Sequence, residues 1–174
     1  MPGLSTINFK QWIEEHRHLF QPPVGNAQIW KDREFMVTVV GGPNSRKDYH
    51  IDPGEEFFYQ LEGDMVLRIV EDGVHRDLPI REGDILLLPP FVPHSPQRGP
   101  KTLGLVIERI RRPDELDQFQ WYCEACGSVL HTVSVHVSDI TTQLKPVFDA
   151  YWADLDARTC THCGEVQQPP PPRE

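Results

Sequence analysis

The sequence predicts a mainly β fold, a closed antiparallel sandwich or jelly-roll barrel, carrying one N-terminal helix and a small C-terminal α+β module. Three observations lead there. Between residues 30 and 110 the chain offers many short β-type runs at roughly even spacing and almost no helical periodicity. Ahead of them stands one amphipathic stripe, and behind them two Cys-x-x-Cys pairs bracket an alternating strand and a helix-like segment. At 174 residues the chain suits one domain, or one domain with a small module, and can bury an ordinary core.

The elements follow in order. Asn8 can cap a helix over residues 9–20, in which Phe9, Trp12, Ile13, His16, Leu19 and Phe20 form one apolar stripe. Two prolines and a glycine in 21–26 then break it. Strands are expected at Phe35–Val40, Glu56–Leu61, Met65–Val70, Arg76–Leu78, Ile85–Leu88 and Leu103–Arg109, each closed by Gly, Pro or Asp-Gly turn chemistry. Asp72-Gly73 is the clearest hairpin signal. Ile85–Leu88 carries no polar side chain, as expected of a strand packed on both faces. The charged, Pro-containing stretch Arg111–Asp117 marks a boundary. Residues 1–112 thus read as the barrel with its helix, 113–166 as a module with a strand from Val129 and a helix across 139–153, and 167–174 as a Pro-rich extended or disordered tail.

Lys and Arg number 17 against 26 Asp and Glu, a formal net charge of −9, which argues against nucleic acid or an anionic membrane as partner. No signal-peptide core and no membrane-length apolar run is found, so the expected location is cytoplasmic. In such a compartment four cysteines spaced as two Cys-x-x-Cys pairs read as metal ligands more readily than as disulfides. Cys123, Cys126, Cys160 and Cys163 each belong to a pair followed by glycine, Gly127 or Gly164, which lets the backbone turn around a metal. Four thiolates leave no open position, so this second metal, iron or zinc, is structural, stored or electron-carrying rather than catalytic. Trp121 and Tyr122 read as packing residues, and His131, His136 and His162 as non-ligands.

The chemistry is expected elsewhere. His50 and Glu56 flank an Asp-Pro-Gly turn, and His94 follows the 85–88 run after a Pro-rich bend. Two histidines and one carboxylate are the ligand set of a mononuclear non-heme iron site. The plainer alternatives are a surface histidine and a solvated turn acid. Glu56, Phe58 and Gln60 share one sheet face by the two-residue period. Three protein ligands leave about three positions open, enough for a chelating substrate and dioxygen. One carboxylate leaves ferrous iron net positive, which favours a substrate bound through a deprotonated hydroxyl. Arg46 stands four residues before His50 and Arg98 four after His94, spacings that return both to the ligand-bearing face. They form either a carboxylate-binding pair or two rim ion pairs. Glu108 is either a strand-end acid or an interior carboxylate that orients an arginine or accepts a substrate proton. Asp48, on the His50 face, is a candidate partner for a ligand histidine.

These segments resemble the two motifs of the cupin superfamily, G-x5-H-x-H-x3,4-E-x6-G and G-x5-P-x-G-x2-H-x3-N. His50, Glu56 and Gly63 fit the first, and Gly83, Pro89 and His94 the second. Asp52 replaces the second histidine of the first motif; Phe91 and Arg98 replace the second glycine and final asparagine of the second. Asn26 in its Pro-Pro-Val-Gly context, Arg46 before Asp-Tyr-His, the 89–98 run ending in Arg98, Glu108 after Val-Ile, and Trp-Tyr-Cys-x-x-Cys-Gly narrow the resemblance. They are similar to the bacterial, single-cupin 3-hydroxyanthranilate 3,4-dioxygenase family over about residues 8–165.

That resemblance implies Fe(2+) held by His50, Glu56 and His94, O2 as co-substrate, and opening of the 3-hydroxyanthranilate ring to 2-amino-3-carboxymuconate semialdehyde. This is the kynurenine-pathway precursor of quinolinate and so of NAD. It further implies Arg46, Arg98 and Glu108 as catalytic residues, the same three with Glu56 around substrate, apolar walls that include Val24, Phe58 and Pro96, and a homodimer. The alternative is a non-catalytic cupin that senses or binds an aromatic acid.

Overall fold

The computed structural model describes residues 5–21, 25–138 and 140–170; Val24, Asp139 and the tail beyond 170 lie outside the described residues. Asn8 caps α1 (Phe9–His16), its side-chain oxygen accepting from the Gln11 backbone N–H at 3.0 Å and satisfying a donor that a helix start leaves free. The final turn of the expected 9–20 helix tightens into a 3-10 turn, Arg17–Phe20. Ile13 and Phe20 bury against Val39 and Leu103. The helical stripe therefore packs on the outside of the barrel.

Eleven strands are described: β1 (Asn26–Gln28), β2 (Phe35–Gly41), β3 (Asp48–Ile51), β4 (Glu56–Glu62), β5 (Met65–Glu71), β6 (Val74–Ile80), β7 (Ile85–Leu88), β8 (His94–Arg98), β9 (Leu103–Arg109), β10 (Asp117–Tyr122) and β11 (Val129–Val135). They form two antiparallel sheets, ordered β1-β2-β9-β4-β7 and β11-β10-β3-β8-β5-β6. Their inner faces enclose Phe58, Met65, Leu67, Ile69, Ile80, Leu88 and Val106. Asp72 and Gly73 take φ of 51° and 76°, as a tight hairpin with primed turn geometry requires, and the hairpin lets β6 run longer than the expected 76–78.

Two expectations change. The 85–88 run is not packed on both faces: Ile85 is 67 % and Leu87 55 % exposed, because β7 is the last strand of its sheet and α1 covers only the far half of the outer surface. Nor does the chain leave the barrel at 112. β10 pairs with β3, placing Phe119 opposite His50, and β11 pairs with β10, so the segment after 112 supplies two strands of the six-stranded sheet. Gln167, expected in the tail, is buried and donates to the Tyr122 carbonyl at 3.0 Å. Over β10 and β11 lies α2 (Ile140–Ala153), bringing Phe148 and Tyr151 against Phe119 and Trp121; a short α3 (Leu155–Arg158) follows. Among the described residues no helix is long and apolar enough to cross a membrane.

Candidate active site

The strand register assembles the site. His50 on β3 lies directly opposite His94 on β8, and across the interior Glu56 on β4 lies opposite Glu108 on β9. One sheet thus supplies two imidazoles and the other two carboxylates. Glu56 Oε1 is 3.0 Å from His94 Nε2 and 3.4 Å from His50 Nδ1. The three potential ligand atoms lie within 4.8 Å of one another.

The remaining ring nitrogens are already engaged. His94 Nδ1 is 3.0 Å from the Val92 carbonyl, and His50 Nε2 is 2.7 Å from Asp117 Oδ1. Donation to those oxygens leaves each histidine a lone pair facing Glu56. Despite its short approach to both rings, the buried Glu56 Oε1 has no hydrogen bond of acceptable geometry, and such an orphan is costly. Three lone-pair donors aimed at one point, one of them unsatisfied, fit a divalent cation. The electrostatics agree: burial alone would lower His50, yet the neighbouring Asp117 and Glu56 carboxylates raise it to about 10. Burial would raise Glu56, yet His94 and His50 hold it well below the ordinary carboxylate range. The negative surroundings that favour a proton on His50, and the ionised Glu56, favour a metal cation between them.

Behind the trio is a buried network in which Asp52 and Glu108 are joined by Arg111 and Asp117, two residues of the stretch expected to be a boundary. The Arg111 guanidinium, almost fully enclosed, meets three carboxylates. Nε donates to both oxygens of Asp117 at 2.9 Å, Nη2 lies 2.5 Å from Asp117 Oδ1 and 2.8 Å from Asp52 Oδ2, and Nη1 donates to Glu108 Oε2 at 2.6 Å. Burial opposes ionisation of Asp117, but hydrogen bonds from His50 and Arg111 keep it below the usual carboxylate range. Burial raises Asp52 to about 7, and burial together with the Glu56 charge raises Glu108.

Several expected roles change hands. Asp48 does not hold a ligand histidine; it pairs with Arg46, whose Nε lies 3.0 Å from Asp48 Oδ2. The carboxylate behind His50 is Asp117. Glu108 is interior, as one of the two readings held, and the arginine it orients is Arg111, not Arg46 or Arg98. Asp52 accepts from the Gly54 backbone N–H at 2.6 Å and faces Arg111 with its other oxygen.

Arg98 is buried on β8, donating to Gln60 Oε1 at 2.9 Å and leaving Nε without a partner. No ion pair among the described residues involves it, and burial lowers it to about 10. A buried guanidinium without a carboxylate is prepared for an anion. Arg46 stands at the edge, over the Phe148 ring at 5.9 Å; Phe148 packs on Phe119, which stacks on His50 at 5.0 Å between centroids.

Against this geometry stand the known proteins. The 3-hydroxyanthranilic acid dioxygenase family matches over residues 1–152. This chain belongs to that family. A 3-hydroxyanthranilate 3,4-dioxygenase of Ruegeria pomeroyi is 55 % identical over 174 residues, 98 % of this chain and 97 % of that protein. One from Xanthomonas oryzae pv. oryzae is 53 % identical over 164 residues, 94 % of this chain and 93 % of that protein. Among solved structures, a cupin-2 domain containing protein from Shewanella frigidimarina is similar at 18 % identity over 60 % of this chain and 94 % of that chain, with a TM-score of 0.48. That likeness is too distant to transfer residue roles.

Phe91, where the cupin motif has glycine, takes φ of 64°, a conformation strained for a bulky side chain. Its N–H donates to the Asp52 carbonyl at 2.8 Å, tying the second motif to the first. The match ends before the second cysteine pair, yet all four thiols converge: Cys123 and Cys163 Sγ are 3.5 Å apart, and Cys126 and Cys160 Sγ 3.6 Å. The thiols are free, and a tetrathiolate site has sulfurs about 3.8 Å apart, from bonds of about 2.3 Å. Gly127 and Gly164, at φ of 73° and 79°, turn each loop so that its N–H meets the carbonyl of the first cysteine at 2.8 Å.

Proposed function

We propose that this chain opens the ring of 3-hydroxyanthranilate with dioxygen, at Fe(2+) held by His50, Glu56 and His94, to give 2-amino-3-carboxymuconate semialdehyde. The carrying observation is the pairing of a two-histidine, one-carboxylate cluster with the buried, anion-free Arg98, in a chain 55 % identical across nearly its whole length to a protein named for that reaction. Iron bound there supplies the one-electron chemistry through which an electron-rich ring can react with dioxygen. The protein residues do the rest. Arg98 and Arg46 bind the substrate carboxylate, which competes with Asp48 for Arg46. Glu108, its carboxyl raised by burial, exchanges the hydroxyl proton. Phe58 and the surrounding apolar core keep water from reactive intermediates.

The cysteine site holds iron or zinc and pins residues 113–166 as an extension of the barrel. The protein works in the cytoplasm as a homodimer. Support for the dimer comes from Phe35, Ile85 and Leu87, large apolar side chains left exposed and suited to a second copy. Sedimentation should find a dimer that Leu87→Glu dissociates; a monomeric wild type would remove this part of the proposal. The enzymatic reading is tested by loading anaerobic protein with ferrous iron, adding 3-hydroxyanthranilate and then air, and following the ultraviolet band of the semialdehyde. Binding without oxygen uptake would leave a sensor of aromatic acids instead.

A further inference from the structure

The buried guanidinium of Arg111 touches neither the three ligand atoms nor, as proposed, the substrate, yet every acid behind the site ends on it. Its Nε and Nη2 clamp Asp117, whose Oδ1 is 2.7 Å from the outer nitrogen of His50. Nη2 also faces Asp52 Oδ2 at 2.8 Å, and Nη1 donates to Glu108 Oε2 at 2.6 Å and to the Arg109 carbonyl at 3.0 Å. The Gly54 N–H ties one Asp52 oxygen at 2.6 Å; the other makes no hydrogen bond and has only the Arg111 charge to hold it back. Oxygens of Asp52, Glu56 and Glu108 lie within 4.8 Å of one another, so Asp52 is near enough to compete for a cation bound by Glu56. A fourth protein ligand would remove one of the positions that substrate and dioxygen require.

We infer that Arg111 is the positioning residue of this site: through Asp117 it fixes the ring of His50, and by holding Asp52 it keeps that carboxylate off the metal. This rests on the ring-opening reading for its purpose, though not for its measurement. The fork geometry is what a lysine cannot supply, since its three donors share one nitrogen whereas the guanidinium reaches the three carboxylates from three separate nitrogens.

The test compares the full chain with Arg111→Lys, Asp117→Asn and the double variant Arg111→Lys/Asp52→Ala. The probes are ferrous iron, titrated anaerobically against a chelator, and nitric oxide as a spectroscopic stand-in for dioxygen at the iron. Circular dichroism and metal content at the cysteine site report folding. Arg111→Lys should lose about 10- to 100-fold in ferrous affinity, lower kcat with little change in KM, and give an altered nitrosyl spectrum in the presence of 3-hydroxyanthranilate. Removing Asp52 in the double variant should restore that spectrum. Asp117→Asn should lose affinity without the spectral change, because Asp52 remains held. If Arg111→Lys does not fold, Asp117→Asn and Asp52→Ala carry the test, the first with weakened iron and the second with a wild-type nitrosyl spectrum. Wild-type iron affinity in Asp117→Asn, or a spectrum in folded Arg111→Lys that Asp52→Ala leaves altered, overturns the inference. If the wild type binds iron but opens no ring, the functional reading fails while the affinity results still decide the role of Arg111.

Discussion

In the cysteine cluster the donors come from two short loops, each turned by its own glycine, and each pair is complete within four residues. In the barrel cluster they come from three strands in two sheets, and the groups that orient them come from the bend before β8 and from β10, backed by β9 and the loop between. The first site gathers all its donors on itself and closes. The second keeps an unsatisfied Glu56 oxygen, a buried guanidinium without an anion and several acids restrained by one arginine. A site that must hold a metal satisfies its groups locally; one that must also admit substrate and dioxygen leaves groups unsatisfied and relies on the fold to restrain them.

If the two regions differ in this way, removing a ligand from each should have separable consequences. The largest effect is expected from His94→Ala, which should abolish ring opening and iron binding in the barrel while leaving the cysteine metal; analysis showing both metals lost would break the distinction. Cys160→Ser should do the reverse. It should cost about 4 kcal/mol of stability, roughly 10 °C in Tm by calorimetry, while ring opening at low temperature stays within a few-fold of wild type. Loss of turnover in a folded variant would make the cysteine metal part of the chemistry. A smaller effect is expected at Gly104, where an added Cβ would meet both terminal nitrogens of Arg98 at 2.6 Å. Gly104→Ala should raise KM about 10-fold by displacing the guanidinium, with iron affinity unchanged; steady-state kinetics and an iron titration together check this. The smallest is Phe91→Gly, which should stabilise the fold by about 1 kcal/mol in denaturant titration by relieving a left-handed backbone.

Legibility in the sequence followed the same division. The cysteine pairs were readable because their geometry is local, and His50, Glu56 and His94 because turn and motif spacing preserve them. The two-residue period also put Gln60 on the face of Glu56, where it is buried, while Glu108 stayed open between a strand-end acid and an interior one until the pairing of β4 with β9 brought it inside. Arg111 and Asp117 were hidden by their neighbours, since a charged stretch with a proline reads as a boundary. The available signal was the alternation of Asp117 with Phe119 and Trp121 against Gln118 and Gln120, which puts Asp117 on the buried face. Asp48 and Asp117 could not be distinguished as partners of His50 by spacing alone, because pairing across strands decides which acid reaches the ring. The exposure of Ile85 and Leu87 was equally hidden, for a purely apolar strand reads the same whether its outer face meets its own helix or a second copy.

The division between the sites is most directly tested on protein carrying zinc in the cysteine site and ferrous iron in the barrel, with oxygen uptake and semialdehyde absorbance recorded together. Ring opening should continue undiminished, with one dioxygen consumed for each ring opened. Turnover that disappears when zinc replaces iron in the cysteine site, with the barrel iron still in place, would contradict that division.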